Sequence, residues 1–159
     1  MPEEVMQDPI FTCGLKLSEN SLHNLSHWQR VEKFGLMIAE KENSDKDVVS
    51  WFACLHDARR ENDDNDPDHG KRAASLLDEL KEKGLVPLSD SQCQQLKEAL
   101  IFHNNDDAAS DDITVRTCWD ADRLDLWRAG IKPNPEYMFT NFGKSQKMID
   151  FAAKVNGIS

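Results

Sequence analysis

Apolar residues in this chain recur at steps of three and four, and no stretch alternates convincingly with a period of two. That spacing commits the chain to helices, so the expected fold is an all-α, single-domain bundle of about five or six helices. The first helix is expected over residues 21–42, with Val31, Phe34 and Ile38 continuing the face that begins at His27, which points inward. A second opens at the capping-box pattern Ser44-Asp45-Lys46-Asp47 and carries Val49, Phe52 and Ala53 toward His56 and Asp57 in its last turn. A third starts at Asp66-Pro67 and stops at Gly84 after Lys81 and Lys83, with His69, Ala73, Leu76 and Leu80 on one face. Ser89 and Gln92 start a fourth, in which Leu96, Ala99 or Leu100, and His103 align.

The fifth helix is expected over residues 113–129, halted by Gly130 with Pro133 beyond, its inward stripe being Val115, Trp119, Asp122 and Leu126. A last helix over residues 144–154 carries Met148, Ile149 and Ala152. Residues 1–20 offer few structural cues and read as an N-terminal extension of a helical domain spanning 21–159.

A chain of 159 residues buries most of its apolar surface without disulfides or structural metals as staples, so a metal here is expected to be functional. Cys13, Cys54, Cys93 and Cys118 are too widely spaced for a zinc ribbon or a redox CxxC pair and read as free thiols in a reducing cytosol. No positively charged N-terminus leads into an apolar run, and no run approaches membrane-spanning length, so a cytoplasmic protein with no membrane partner is expected. The net charge of −10 argues against general nucleic-acid binding, which depends on clustered Lys and Arg. A small anionic substrate stays compatible with it where local Arg or metal outweighs the field. The acidic stretches 61–68 and 104–112 fall between helices and read as solvated connections.

All five histidines, His23, His27, His56, His69 and His103, fall in segments that read as helix. A single His on an apolar face is usually a satisfied core residue, but four separate helices each offering one inward is not a packing pattern. Asp122 adds to this, because a carboxylate on a stripe with Val115, Trp119 and Leu126 is costly to bury unpaired and calls for a nearby cation. An ion pair with Arg30, Arg59 or Arg72 would serve an isolated Asp; the inward histidines shift the balance to metal. His56 and Asp57 point roughly 100° apart on a regular helix yet can converge on an ion beside it. Imidazole and carboxylate together suit Mn, Fe, Co, Ni or Zn, whereas Mg and Ca prefer oxygen almost alone.

In this order, His27, His56-Asp57 and Asp122 resemble the signature of the HD superfamily of metal-dependent phosphohydrolases. The surrounding text agrees in SLHNLSHWQRVEKFG, FACLHDARR and CWDADRLDLWRAG, and the resemblance spans residues 21–128. It implies a helical bundle in which His27, His56, Asp57 and Asp122 hold one metal, with His69 and His103 placed to ligate a second that Asp57 bridges. One or two divalent transition-metal ions are therefore expected. The chain departs from the branch with Gly-Lys soon after the pair, having Ala58-Arg59-Arg60 instead, which sets aside that branch's signalling-nucleotide specificities.

Around these ligands, His23 lies one helical turn before His27 and reads either as a proton-transfer group or as an exposed helix-start residue. Asp57 is the catalytic carboxylate of the resemblance. Asp63 and Asp64 follow closely and are candidates to hold water or accept a proton, beside their default role in capping and solubility; without the Gly and Glu of an EF-hand loop they do not indicate calcium. Arg30, Arg59, Arg60, Arg72 and Arg123 neighbour proposed ligands and are the candidates for a substrate phosphate.

The expected activity is hydrolysis of a phosphate ester, of a nucleotide or another small phosphorylated metabolite, by water that the metal activates. The sequence offers no G-x-S-x-G elbow and no Gly-rich phosphate loop to suggest a covalent route. The rivals are a di-iron oxygenase built on the same helical site and a non-catalytic nucleotide-binding or regulatory module.

Overall fold

The computed structural model describes residues 1–159 and contains helices and no strands. Two four-residue helices, α1 (Glu3–Met6) and α2 (Pro9–Thr12), precede six longer ones: α3 (Leu25–Glu42), α4 (Lys46–Leu55), α5 (His69–Glu82), α6 (Asp90–Phe102), α7 (Ile113–Leu124) and α8 (Gln146–Val155). Short 3-10 helices cover Asp125–Ala129 and Pro135–Tyr137. No helix is long and apolar enough to cross a membrane.

The long helix α3 lies against α4 and α7, and α6 packs on α4, α5 and α7, so α4 is enclosed on several sides. Its residues Val48, Val49, Phe52, Ala53, Cys54 and Leu55 are accordingly fully buried. Val31, Phe34 and Ile38 of α3, Leu76 and Leu80 of α5, Leu96 and Leu100 of α6, and Val115 and Trp119 of α7 join one continuous core. Residues 1–20 contribute Val5 and Phe11 to that core.

Helix starts depart from the sequence reading where a side chain has another use. The first long helix begins at Leu25, because Asn24 caps it by accepting from the His27 N–H, while Ser21 Oγ turns to the His23 N–H. His23 therefore lies in the turn before the helix. At α4 the cap is Asp45, which accepts from the N–H groups of Asp47 and Val48; Ser44 instead pairs with Thr117 at 2.6 Å. Asp66-Pro67 does not open α5, since the Asp66 carboxylate takes the Glu61 N–H and the Arg72 guanidinium, and the helix starts at His69. The Ser89–Gln92 capping box forms as expected.

The fifth expected helix is shorter than its pattern. Regular α geometry ends at Leu124 and the chain tightens into a 3-10 turn before Gly130, whose φ of 75° stops it. The tightening turns Leu124 and Asp125 inward and leaves Leu126 only half-buried. It carries a consequence for the site.

A candidate metal centre at the helix ends

The histidines do not all lie within helices. His27 sits in the first turn of α3 and His69 is the first residue of α5, but His56 and His103 are the C-caps of α4 and α6. The four converge because the C-terminal ends of α4 and α6 meet the N-terminal ends of α3 and α5. Gly70 makes the last approach possible: a Cβ there would strike the Leu100 carbonyl oxygen and stand 3.0 Å from that of Ile101. The His69 and His103 rings come within 4.6 Å, centroid to centroid.

His27 Nε2 lies 3.1 Å from His56 Nε2, 3.3 Å from Asp57 Oδ2 and 3.2 Å from Asp122 Oδ1. His56 Nε2 lies 3.2 Å from Asp57 Oδ2 and 3.5 Å from Asp122 Oδ1. Four ligands at about 2.0–2.1 Å from an ion at the centre of a tetrahedron stand about 3.3–3.4 Å apart, so these spacings suit one transition-metal ion. The other oxygen of Asp57 faces a second group, 3.3 Å from His69 Nε2 and 3.8 Å from His103 Nε2, with the two ring nitrogens 2.8 Å apart. His27, His56 and Asp57 form one buried group and Asp57, His69 and His103 another, so the two share Asp57, while Asp122 closes the first from its partly exposed side.

The hydrogen bonds on the far side of each ring decide what these nitrogens are. His27 Nδ1 donates to Asp125 Oδ2 at 2.7 Å, and His56 Nδ1 to the carbonyls of Phe52 and Ala53 at 3.1 and 3.0 Å. His69 Nδ1 donates to the Asp66 carbonyl and His103 Nδ1 to that of Leu100, each at 2.6 Å. With every Nδ1 acting as donor, each neutral ring turns an Nε2 lone pair into the cluster. Four lone pairs and two carboxylates crowded out of water are a site for positive charge, and the mixed N/O donor set fits a divalent transition metal. Around His27 and His56 the carboxylates favour a proton on the ring in the same way. Burial would press the His56 ring toward neutrality, yet Asp57 and Asp122 carry its pKa up to about 10. His27 is raised against burial by Asp122, Asp125 and Asp57, while Asp57 and Asp122 are held well below the usual carboxylate range despite burial by the surrounding imidazoles.

Asp125, which the sequence reading did not single out, stands directly behind His27. Fully buried, it accepts from His27 Nδ1, from Arg30 Nε at 2.8 Å and from Asn156 Nδ2 at 2.9 Å. Its inward position follows from the 3-10 turn after Leu124, which a stripe drawn at the α-helical period does not show.

His23 is buried, and its Nδ1 donates to Asp63 Oδ1 at 2.7 Å; its ring meets that of His27 edge-on at 6.2 Å. Burial lowers the His23 pKa, and the His23 and Ser21 hydrogen bonds lower that of Asp63. Asp64 is exposed and touches the centre only through its carbonyl, which accepts from Arg60, so its carboxylate is not brought to the site. Asp122, expected to be buried, keeps 20% of its side chain exposed because it borders an open cleft.

The arginines expected to hold phosphate divide. Arg59 is spent on structure, its guanidinium donating to the carbonyls of Ile10, Phe11 and Ala58. Arg72 is held by Asp66 and the Arg59 carbonyl, and Arg30 by Asp125. Arg123 donates to the Tyr137 carbonyl and lies over the Phe139 ring, at the edge of the cleft beside Asp122. Arg60 alone of the five touches a proposed ligand, Asp57 Oδ1 at 3.2 Å, while also lining a cavity that reaches the centre. Arg128 and Lys132, which the sequence reading did not single out, border the Asp122 cleft.

This arrangement of helices is the HD-domain fold. The chain superposes on a predicted HD superfamily hydrolase from an uncultured Thermotogales bacterium with a TM-score of 0.70, covering 96% of this chain and 84% of that one at 23% sequence identity. No protein-family model matches the sequence, and no curated protein does. The likeness establishes the fold; the buried His/Asp groups, in turn, could hold a metal ion.

Proposed function

We propose that the protein hydrolyses a small phosphate monoester, such as a nucleotide or another phosphorylated metabolite, using one or two divalent transition-metal ions. The observation that carries this reading is the convergence of four imidazole Nε2 atoms with Asp57 and Asp122 while every Nδ1 is tied back. A divalent cation bound there supplies Lewis acidity, neutralising phosphoryl charge and lowering the pKa of water.

The chain's own residues supply position and protons. Asp57 offers one oxygen to each donor group and so fixes their spacing. Arg60 steadies Asp57 and presents a guanidinium at the cavity, where it is placed to take a phosphate oxygen. His23 also lines that cavity; with its Nδ1–H given to Asp63, Nε2 is the nitrogen left to exchange a proton with water or the departing alcohol. No covalent enzyme nucleophile enters this scheme. The acidic surface keeps polynucleotides out of the substrate range, and we place the activity in the cytoplasm.

The test is metal analysis of the purified protein, then a screen of phosphomonoesters with Mn, Co, Ni, Mg and Zn. His56→Ala and Asp57→Ala are expected to lose metal and hydrolysis together and to keep a helical circular dichroism spectrum. Full activity in either metal-free variant refutes the assignment. Oxygen-dependent turnover with bound iron would transfer it to a di-iron oxygenase, and tight nucleotide binding without product at full metal occupancy to a regulatory module.

A further inference from the structure

Two hollows reach the metal centre, and they differ in character. One, of about 590 Å³, opens beside His103 and Asp122 between charged residues, Asp106, Asp107, Arg123, Arg128 and Lys132 among them. The other, of about 470 Å³, has Asp57, His23 and Arg60 in its lining; polar groups such as Lys16 and Glu19 share the rest with an apolar side made by Met6, Phe11, Leu15, Leu17, Leu25 and Trp28. Four of those six come from residues 1–20. Leu15 and Leu25 are 40% and 48% exposed, an apolar surface left facing water beside buried ligands.

That wall is fastened to the loop carrying the metal-ligating pair. Arg59, two residues after Asp57, reaches back to the carbonyls of Ile10 and Phe11, and its guanidinium occupies the space a Cβ on Gly14 would need. Lys16 pairs with Glu61 at 3.3 Å, and Asp8, the cap of α2, pairs with Lys83 at 2.9 Å. The segment is thus tied at two points to the loop after Asp57 and at a third to the far end of α5.

From the continuity of this lined cavity with Asp57 and Arg60, we infer that residues 6–17 form the specificity wall for the alcohol half of the substrate, which is a bulky apolar or aromatic group. This rests on the hydrolase reading above. A phosphoryl group at Asp57 and Arg60 directs its ester oxygen into the cavity, whose volume suits an organic group of small-ligand size. Compact hydroxylated groups gain nothing from such a wall, because their hydroxyls would be desolvated against Met6, Leu15 and Leu17. Arg59 is a positioning residue for the wall and does not touch substrate.

The experiment compares kcat/KM on benzyl phosphate and ethyl phosphate, two esters of primary alcohols, for the full chain and for Leu15→Asp/Leu17→Asp with Mn²⁺. Both positions are at least partly exposed, so the variant is expected to fold. The full chain should favour benzyl phosphate at least ten-fold, and the variant should lose about ten-fold in the benzyl-to-ethyl ratio, a ratio that cancels any general loss of active protein. No preference in the full chain, or an unchanged ratio in the variant, overturns the inference. Should the full chain hydrolyse neither ester, the hydrolase reading is decided separately by the phosphomonoester screen above, and benzyl phosphate binding followed by tryptophan fluorescence judges the wall: binding about ten-fold weaker in the variant upholds it, and equal or absent binding overturns it.

Discussion

Replacing Asp125 with Asn tests whether the centre is organised from behind. The wild-type carboxylate accepts three hydrogen bonds, from His27, Arg30 and Asn156, and is wholly buried. An Asn keeps one acceptor oxygen; if that stays on His27 Nδ1, its NH₂ faces the donors of Arg30 and Asn156. Two hydrogen bonds to an ionised acceptor are then lost, about 3–6 kcal/mol together. For a domain of this size the lower end, about 3 kcal/mol, lowers Tm by about 6–12 °C. The His27 ring also loses the anionic partner that makes its Nε2 a better donor, which costs about 10- to 100-fold in metal affinity. Chelator competition read by metal analysis gives the affinity, and thermal unfolding by circular dichroism gives Tm. Asp125→Asn with wild-type metal affinity would refute the claim that His27 is aimed by this carboxylate.

Gly70→Ala pushes α5 from the Leu100 and Ile101 carbonyls; backbone cannot yield as a side chain can, so a loss of about 2–4 kcal/mol is expected, with the His69–His103 group losing metal before the other. Metal stoichiometry against temperature checks it, and an unchanged Tm would show that the helices slide freely. Arg59→Met should free residues 1–20 from the loop after α4, giving earlier tryptic cleavage there at unchanged metal content. Cleavage at the wild-type rate would remove the clamp from the argument.

Periodicity was enough to read helices such as α5, which buries one face with His69, Ala73, Leu76 and Leu80. The inward histidines and Asp122 stood out for a related reason, imidazoles and an acid on apolar faces being costly to leave without partners, while the ligand set itself came from the family resemblance. What could not be read depends on tertiary closure. Which carbonyl meets a guanidinium is not written near Arg59 in the sequence, and its partners lie 48 and 49 residues away. The tightening after Leu124 also escaped pattern analysis, since a stripe drawn at 3.6 residues per turn carries Leu126 inward in place of Asp125. The short helices before residue 20 lack the length for any periodic signal.

The seating of His56 and His103 at helix C-termini has a consequence for how such a motif is interpreted. The last carbonyls of a helix lack partners within it, and these two side chains quench Ala53 and Leu100 through the same proton that sets their tautomer. Each imidazole therefore helps to terminate a helix whether or not an ion is present. Folding by itself gives the chain a reason to keep them, so the bare pattern of histidines reports a scaffold, and only metal content and turnover report an enzyme.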